Sequence, residues 1–145
     1  MAKHNLPAYK GVAKVPQVMQ MESLESGAAT LAMVLAYYGK WMPLEQVRLA
    51  CGVSRDGASV ENIAKAARSF GLSVEGYKRG VGALREQGPY PCIVTYGADY
   101  AVLCGFRGDY VYLNDPAKGS RRVPVQEFAR SYGALKKSLY PTQEQ

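Results

Sequence analysis

The chain holds three cysteines, one histidine and twelve carboxylates, and in only two places does their grouping suggest chemistry. The first is Gln20-Met21-Glu22-Ser23-Leu24-Glu25-Ser26-Gly27-Ala28-Ala29, at the head of the clearest helical pattern in the sequence. A nucleophile there would feel the positive end of the helix dipole, and Gln20 upstream could donate a hydrogen bond to a developing oxyanion. The second is Gly97-Ala98-Asp99-Tyr100-Ala101-Val102-Leu103, followed at the end of the next strand by Asn114-Asp115-Pro116. A base on one strand, oriented by a carboxylate or amide on its neighbour, is the arrangement that activates a nucleophile on a facing helix. Each segment alone also has a plain structural reading. Ser26 suits packing or capping, Asn-Asp-Pro is a turn signal and Asp99 is a strand-end residue facing water.

The elements that must position these residues follow from periodicity. Leu24, Ala28, Leu31, Ala32, Leu35 and Tyr38 recur at helical spacing over 23–38, and Gly39 supplies the C-terminal stop. Pro43 opens a short helix through Val47 and Ala50. After the turn Ser54-Arg55-Asp56-Gly57, Ser59 caps a third helix that buries Ile63, Ala67 and Phe70. Beyond Gly71 the pattern turns to short β-like runs: Leu72–Tyr77, Cys92–Tyr96, Tyr100–Phe106, Tyr110–Asn114 and Arg121–Pro124. A tight hairpin is expected at Arg107-Gly108-Asp109, with short helices near Gly82–Gln87 and Val125–Tyr132. Helices followed by antiparallel strands make an α+β domain. Residues 1–14 read as a loosely held arm, 15–140 as the domain, and 141–145 as a tail or the start of a linker.

Composition narrows the function classes. A chain of 145 residues with 48% hydrophobic residues is sized for one domain with a real core. Its longest apolar stretch, Gly27 to Gly39, falls short of the roughly 20 residues a membrane span needs. Cys51, Cys92 and Cys104 form neither a disulfide framework nor a Cys-x-x-Cys metal pattern, so no metal or cofactor is expected and a reducing cytoplasm is the expected setting. The net charge of +6 invites a nucleic-acid reading. The cations are dotted along the sequence, however, and no RNA- or DNA-binding motif accompanies them. A solvated basic surface, or attraction to an acidic peptide or anionic headgroups, fits better.

Taken together, the strings VPQVMQMESLESGAATLAMVLAYYGKWMPLEQVRLACGVSRDGAS, PCIVTYGADYAVLCGF and YLNDPAKG resemble the peptidase C39 domain of bacteriocin-exporting ABC transporters, above all those serving Nif11- or nitrile-hydratase-type leaders. The resemblance runs from about Val15 to Tyr140. It implies a papain-like fold, with an N-terminal helical half packed on a C-terminal antiparallel sheet. It also implies a cytosolic domain at the inner face of the membrane, part of or docked on an exporter's membrane and ATPase parts. Family members bind the helical leader of a precursor peptide and cut after a double glycine with a Cys-His-Asp triad and a Gln oxyanion donor.

The departures from that pattern bear on function. Ser26 stands at the cysteine position and Asp99 at the histidine position, while Gln20 and Asp115 keep the oxyanion and triad-carboxylate positions. His4, the sole histidine, lies in the arm, and no cysteine falls at the motif. Loss of both reactive groups points to natural decay of the site. A serine hydroxyl needs a good general base, and a carboxylate is about 2.6 pKa units less basic than imidazole, about 3.5 kcal/mol in proton affinity. The expectation is therefore a pseudo-peptidase that holds a leader without cutting it, with Tyr96, Gly97 and Ala98 lining the old cleavage channel. An acid-active peptidase with Ser26 as nucleophile is the alternative.

Overall fold

The computed structural model describes residues 7–8, 10–52, 55, 57–133 and 135–143; His4, Ser54 and Asp56 lie outside them. Three helices come first: α1 (Ser26–Tyr37), α2 (Leu44–Cys51) and α3 (Val60–Ser69). The rest is β1 (Leu72–Lys78), α4 (Val81–Gln87), β2 (Cys92–Tyr96), β3 (Asp99–Arg107), β4 (Tyr110–Asp115), β5 (Gly119–Pro124), α5 (Val125–Tyr132) and β6 (Lys137–Gln143). The six strands form one antiparallel sheet in the order β1-β6-β2-β3-β4-β5. The expected α+β layout is thus observed, with α1 against β3, α3 against β1 and β6, and α5 against β2 and β5.

α1 is buried along its whole length because it is apolar on every side, so it lies between the sheet and the other helices. It begins at Ser26, three residues later than periodicity suggests. The carboxylate of Glu25 accepts the main-chain N–H groups of Met21 and Glu22 at 2.8 and 3.0 Å, which holds 21–24 in turns and leaves Leu24 exposed. That shift places Ser26 in the first helical position. Ser59 caps α3 as expected, accepting the N–H of Asn62 at 3.1 Å. Phe70 forms the end of α3 and is half-buried, outside the fully buried face of Ile63, Ala66 and Ala67.

Two expectations need correction. The described part of the arm is tied to the sheet: Ala8 and Tyr90 exchange main-chain hydrogen bonds of 2.7 and 2.6 Å, and the N–H of Ala13 donates to the carbonyl of Cys104 at 2.8 Å. That contact lies at a bulge between Leu103 and Gly105, where a Cβ on Gly105 would meet the carbonyl oxygen of Gly11 at 2.2 Å. The sequence reading also lacks β6, which enters between β1 and β2 and carries the sheet to Gln143, into the segment expected as a tail.

Candidate functional site

Ser26 sits at the N-terminus of α1 with only 4% of its surface exposed. Its hydroxyl is 3.5 Å from Asp99 Oδ1, to which it donates, and it accepts the N–H of Tyr100 at 3.3 Å. The β2–β3 hairpin brings Asp99 there. Tyr96 pairs with Asp99 across a two-residue turn, and the Tyr100 hydroxyl anchors the hairpin by donating to the carbonyl of Ala58 at 2.9 Å. Gly27 belongs to the same joint, because a Cβ there would meet the Ile63 side chain at 2.8 Å, so its hydrogen lets α1 close on α3. The structure therefore joins the two halves of the expected pair. As a catalytic dyad it is poor: the base is an exposed carboxylate, at hydrogen-bonding limit from a hydroxyl that is much harder to ionise than a thiol.

The two supporting positions are near each other but differently committed. The main-chain N–H of Gln20 donates to the carbonyl of Pro116 at 2.9 Å, and Gln17 Nε2 donates to that of Asp115 at 3.0 Å, so the segment before α1 runs along the end of β4. The Asp115 carboxylate accepts the N–H groups of Ala117 and Lys118 at 2.8 and 3.2 Å and faces Arg121 at 4.0 Å. It shapes the turn into β5. A triad carboxylate orients its base by accepting an N–H, and Asp99 has none to offer. The helix terminus offers better electrostatics than the pair. α1 has no side-chain cap, so the N–H groups of its first turn stand with the dipole behind them, near the segment carrying Gln20.

None of the three cysteines offers a reactive thiol. Cys51, Cys92 and Cys104 are buried, and burial pushes the Cys51 thiol up to about 11 and that of Cys104 up to about 12. Cys92 is pushed up as well, by burial first and by Cys104 second. A thiol held protonated is neither a nucleophile nor a metal ligand. Among the described residues, no three His, Cys, Asp or Glu side chains converge as a metal site would require.

Of the three residues expected to line the channel, Gly97 and Ala98 form the exposed turn of the hairpin, Gly97 at φ 63° with its N–H on the carbonyl of Ser131. The ring of Tyr96 instead stacks on Phe128 of α5 at 6.0 Å, and burial raises its hydroxyl pKa. Sequence reasoning missed Tyr100 and Glu25. Tyr100 is recognisable only as the neighbour of Asp99. Glu25 is a buried carboxylate that binds the 21–22 turn and sits 3.4 Å from Arg48 Nε on α2, so it fixes the approach to Ser26.

Residues 14–143 match the model of the peptidase C39 family. The lactococcin-G-processing and transport ATP-binding protein LagD of Lactococcus lactis is 28% identical over 121 residues, which are 79% of this chain and 17% of LagD. The colicin V secretion/processing ATP-binding protein CvaB of Escherichia coli is 28% identical over 132 residues, 90% of this chain and 19% of CvaB. The chain thus spans less than a fifth of either relative. Among solved structures, a double-glycine-motif protease from an AMS/PCAT transporter, crystallised with the leader peptide, is 51% identical with a TM-score of 0.92, covering 95% of this chain and 98% of that one. The peptidase domain of Streptococcus ComA, at 21% identity and a TM-score of 0.83, shares the fold over 90% of this chain and 98% of that one. The helical half and the antiparallel sheet agree with the solved relatives, and the chain belongs to the peptidase C39 family, with its papain-like fold.

Proposed function

We propose that this chain is a non-catalytic C39 domain that binds the leader of a bacteriocin-like precursor peptide and presents it to an ABC exporter. The observation that carries the reading is the Ser26–Asp99 contact: two oxygens meet at 3.5 Å where the resemblance to the family leads one to expect a thiol and an imidazole. The fold around them is intact. Gln20 and Asp115 are the remaining members of the old machinery, Ser26 and Asp99 its replaced ones, and the Gly97-Ala98 turn is the part of the old channel open to a peptide.

The partners follow from the relatives. One solved relative is a double-glycine protease bound to a leader peptide, and the curated relatives are processing and transport ATP-binding proteins of which this chain covers one part. Transporter membrane and ATPase domains, in the same chain or a partner, are the expected neighbours, at the cytoplasmic face of the membrane. No helix among the described residues is long and apolar enough to cross a membrane.

The test is incubation with a cognate precursor at neutral pH, followed by mass spectrometry and a binding assay. The expected result is a bound, uncut precursor. Release of the leader, abolished by Ser26→Ala, would overturn the reading. The hydrogen bond from Ser26 to Asp99 supports one alternative, a serine peptidase using Asp99 as base. Its signature is the same Ser26-dependent cleavage confined to acid pH.

A further inference from the structure

The face of the sheet turned away from α5 carries, at the β4–β5 end, a block of arginine and tyrosine. Phe106 and its partner Val111 point toward α5, where Phe106 meets the Phe128 ring at 6.3 Å. Side chains alternate along a strand, so Tyr110 and Tyr112 of β4 share the opposite face. Tyr110 is paired with Arg107 of β3 and Tyr112 with Arg122 of β5, which puts all four side chains there. Each guanidinium crosses the diagonal: that of Arg107 lies over the Tyr112 ring at 5.3 Å, and that of Arg122 over the Tyr110 ring at 4.3 Å. Beside Tyr112 and Arg122 a hollow of about 360 Å³ runs to the arm, with Val12, Lys14 and Val15 in its lining.

Nothing acidic answers these charges. The lining of the hollow contains no carboxylate. Among the described residues Lys14, Arg107 and Arg122 make no ion pair, and Asp109 at the tip of the β3–β4 hairpin pairs with none of them. The other polar groups of the hollow are committed within the chain. Asn114 Nδ2 donates to the carbonyl of Val15 at 2.8 Å, the Ser120 hydroxyl donates to Asn114 Oδ1 at 2.7 Å, and Arg121 faces Asp115 and Glu127. Lys14, Arg107, Tyr110 and Arg122 are all exposed. The face therefore offers a partner unpaired cations laid against tyrosine rings.

We propose that this face rests on an anionic lipid surface. Tyrosine, with an apolar ring and a polar hydroxyl, suits the boundary between headgroups and acyl chains. A guanidinium stacked on a ring keeps its in-plane N–H groups for phosphate oxygens, which it can meet in pairs. Each cation near an anionic surface adds attraction, so Lys14, Arg107 and Arg122 together give a salt-sensitive hold that orients the domain without anchoring it. Single-stranded nucleic acid fits less well, because stacking bases need open ring faces and here guanidinium groups cover them. The proposal takes its setting, the cytoplasmic face of a membrane, from the leader-binding reading and adds which side of the domain meets the lipid.

The experiment sediments the whole chain with vesicles of phosphatidylcholine alone, and with vesicles in which about 30% of the lipid is phosphatidylglycerol. Wild type is compared with Arg107→Gln/Arg122→Gln and with Lys65→Gln/Lys137→Gln. The lysine pair removes the same charge from the groove between α3 and the β1–β6 ladder, at the other end of the sheet, where Lys65, Arg68, Lys78 and Lys137 share a hollow with Glu61. Wild type should prefer the anionic vesicles by at least about tenfold; the arginine pair should lose about tenfold of that preference, and the lysine pair no more than about twofold. A second readout does not depend on those variants. Trp41 is the only tryptophan, so Tyr110→Trp in a Trp41→Phe background reports on position 110 alone, and its emission should shift to the blue on anionic vesicles. Equal partition onto the two vesicles, equal losses from the two pairs, an unshifted Trp emission, or binding of single-stranded RNA by a chain that ignores vesicles would each overturn the proposal. A cognate precursor is titrated in parallel. Precursor binding without vesicle binding would sink this face and keep the leader reading; vesicle binding without precursor binding would do the reverse.

Discussion

The Ser26 cleft and the α3 groove flank the same helix terminus and differ in how their polar groups are committed. In the cleft the reactive-looking groups have partners within the chain: Ser26 is bonded to Asp99 and Tyr100, and Asp115 to its own turn. In the groove four cations share a hollow with a single carboxylate, Glu61, and among the described residues none of the four makes an ion pair. Catalysis needs a poised, under-solvated reactive group, and recognition needs unspent charge beside apolar surface. The cleft has the geometry of the first without its chemistry, and the groove has the ingredients of the second. That contrast is what the proposed reading, recognition without cleavage, has to explain.

The largest effect should come from restoring the chemistry. Ser26→Cys with Asp99→His puts a thiol at the helix N-terminus and an imidazole within reach of it, while Gln20 and the uncapped first turn stay in place. Cleavage of a cognate precursor by the double variant should exceed that of either single variant by at least about 100-fold, since a thiol without a base and a base without a thiol are each half a mechanism. Mass spectrometry of the released leader measures it. Activity from Ser26→Cys alone would mean that some other group serves as base. A silent double variant that folds would mean that the turn held by Asp115 has drifted too far to orient a histidine.

Local patterns carried most of this architecture and long-range pairing very little of it. Helical spacing located α1, α2 and α3, and Gly108 marked the β3–β4 turn, because these depend on residues a few positions apart. Strand β6 escaped because Lys137-Ser138-Leu139-Tyr140-Pro141-Thr142-Gln143 has no clean alternation and contains a proline. Its place in the sheet comes from β1 and β2, both remote in sequence. The arm escaped for the same reason, since nothing in its polar composition reveals the bonds to Tyr90 and Cys104. The candidate pair at Ser26 and Asp99 was readable through the family motifs. The groove was not: its four cations look dispersed along the chain, and only folding gathers them.

A smaller effect sharpens the claim that the cleft has no reserve nucleophile. Burial raises the pKa of Cys92, Cys104, Tyr90 and Tyr132 above their ordinary values. Below about pH 7.5, a unit under the ordinary thiol value, these groups are protonated in both folded and unfolded chains, and their contribution to stability is complete. As pH climbs past about 9 the unfolded chain ionises them while the folded chain resists, so stability falls. The melting temperature should be level between pH 7 and pH 8 and drop by several degrees by about pH 10. In the same folded chain at about pH 8, iodoacetamide should label none of the three thiols. Rapid labelling of one of them would return a nucleophile to the molecule and break the contrast.

The smallest effect tests whether cleft and groove are separable. Ser59 caps α3 through the N–H of Asn62, one residue before the groove-lining Val60 and one after Ala58, which anchors the Tyr100 hydroxyl. Ser59→Ala removes that cap and should cost about 1 kcal/mol in urea unfolding. Because the Tyr100 bond is made to the carbonyl of Ala58 and not to Ser59, the hairpin carrying Asp99 should keep its anchor. Faster hydrogen exchange should therefore be confined to the first turn of α3, with Asn62 foremost, and the amides of β3 should stay protected. A loss above about 2 kcal/mol, with exchange spreading to Tyr100, would mean that the end of α3 welds the two regions into one cooperative unit, so that recognition could not have outlived catalysis independently.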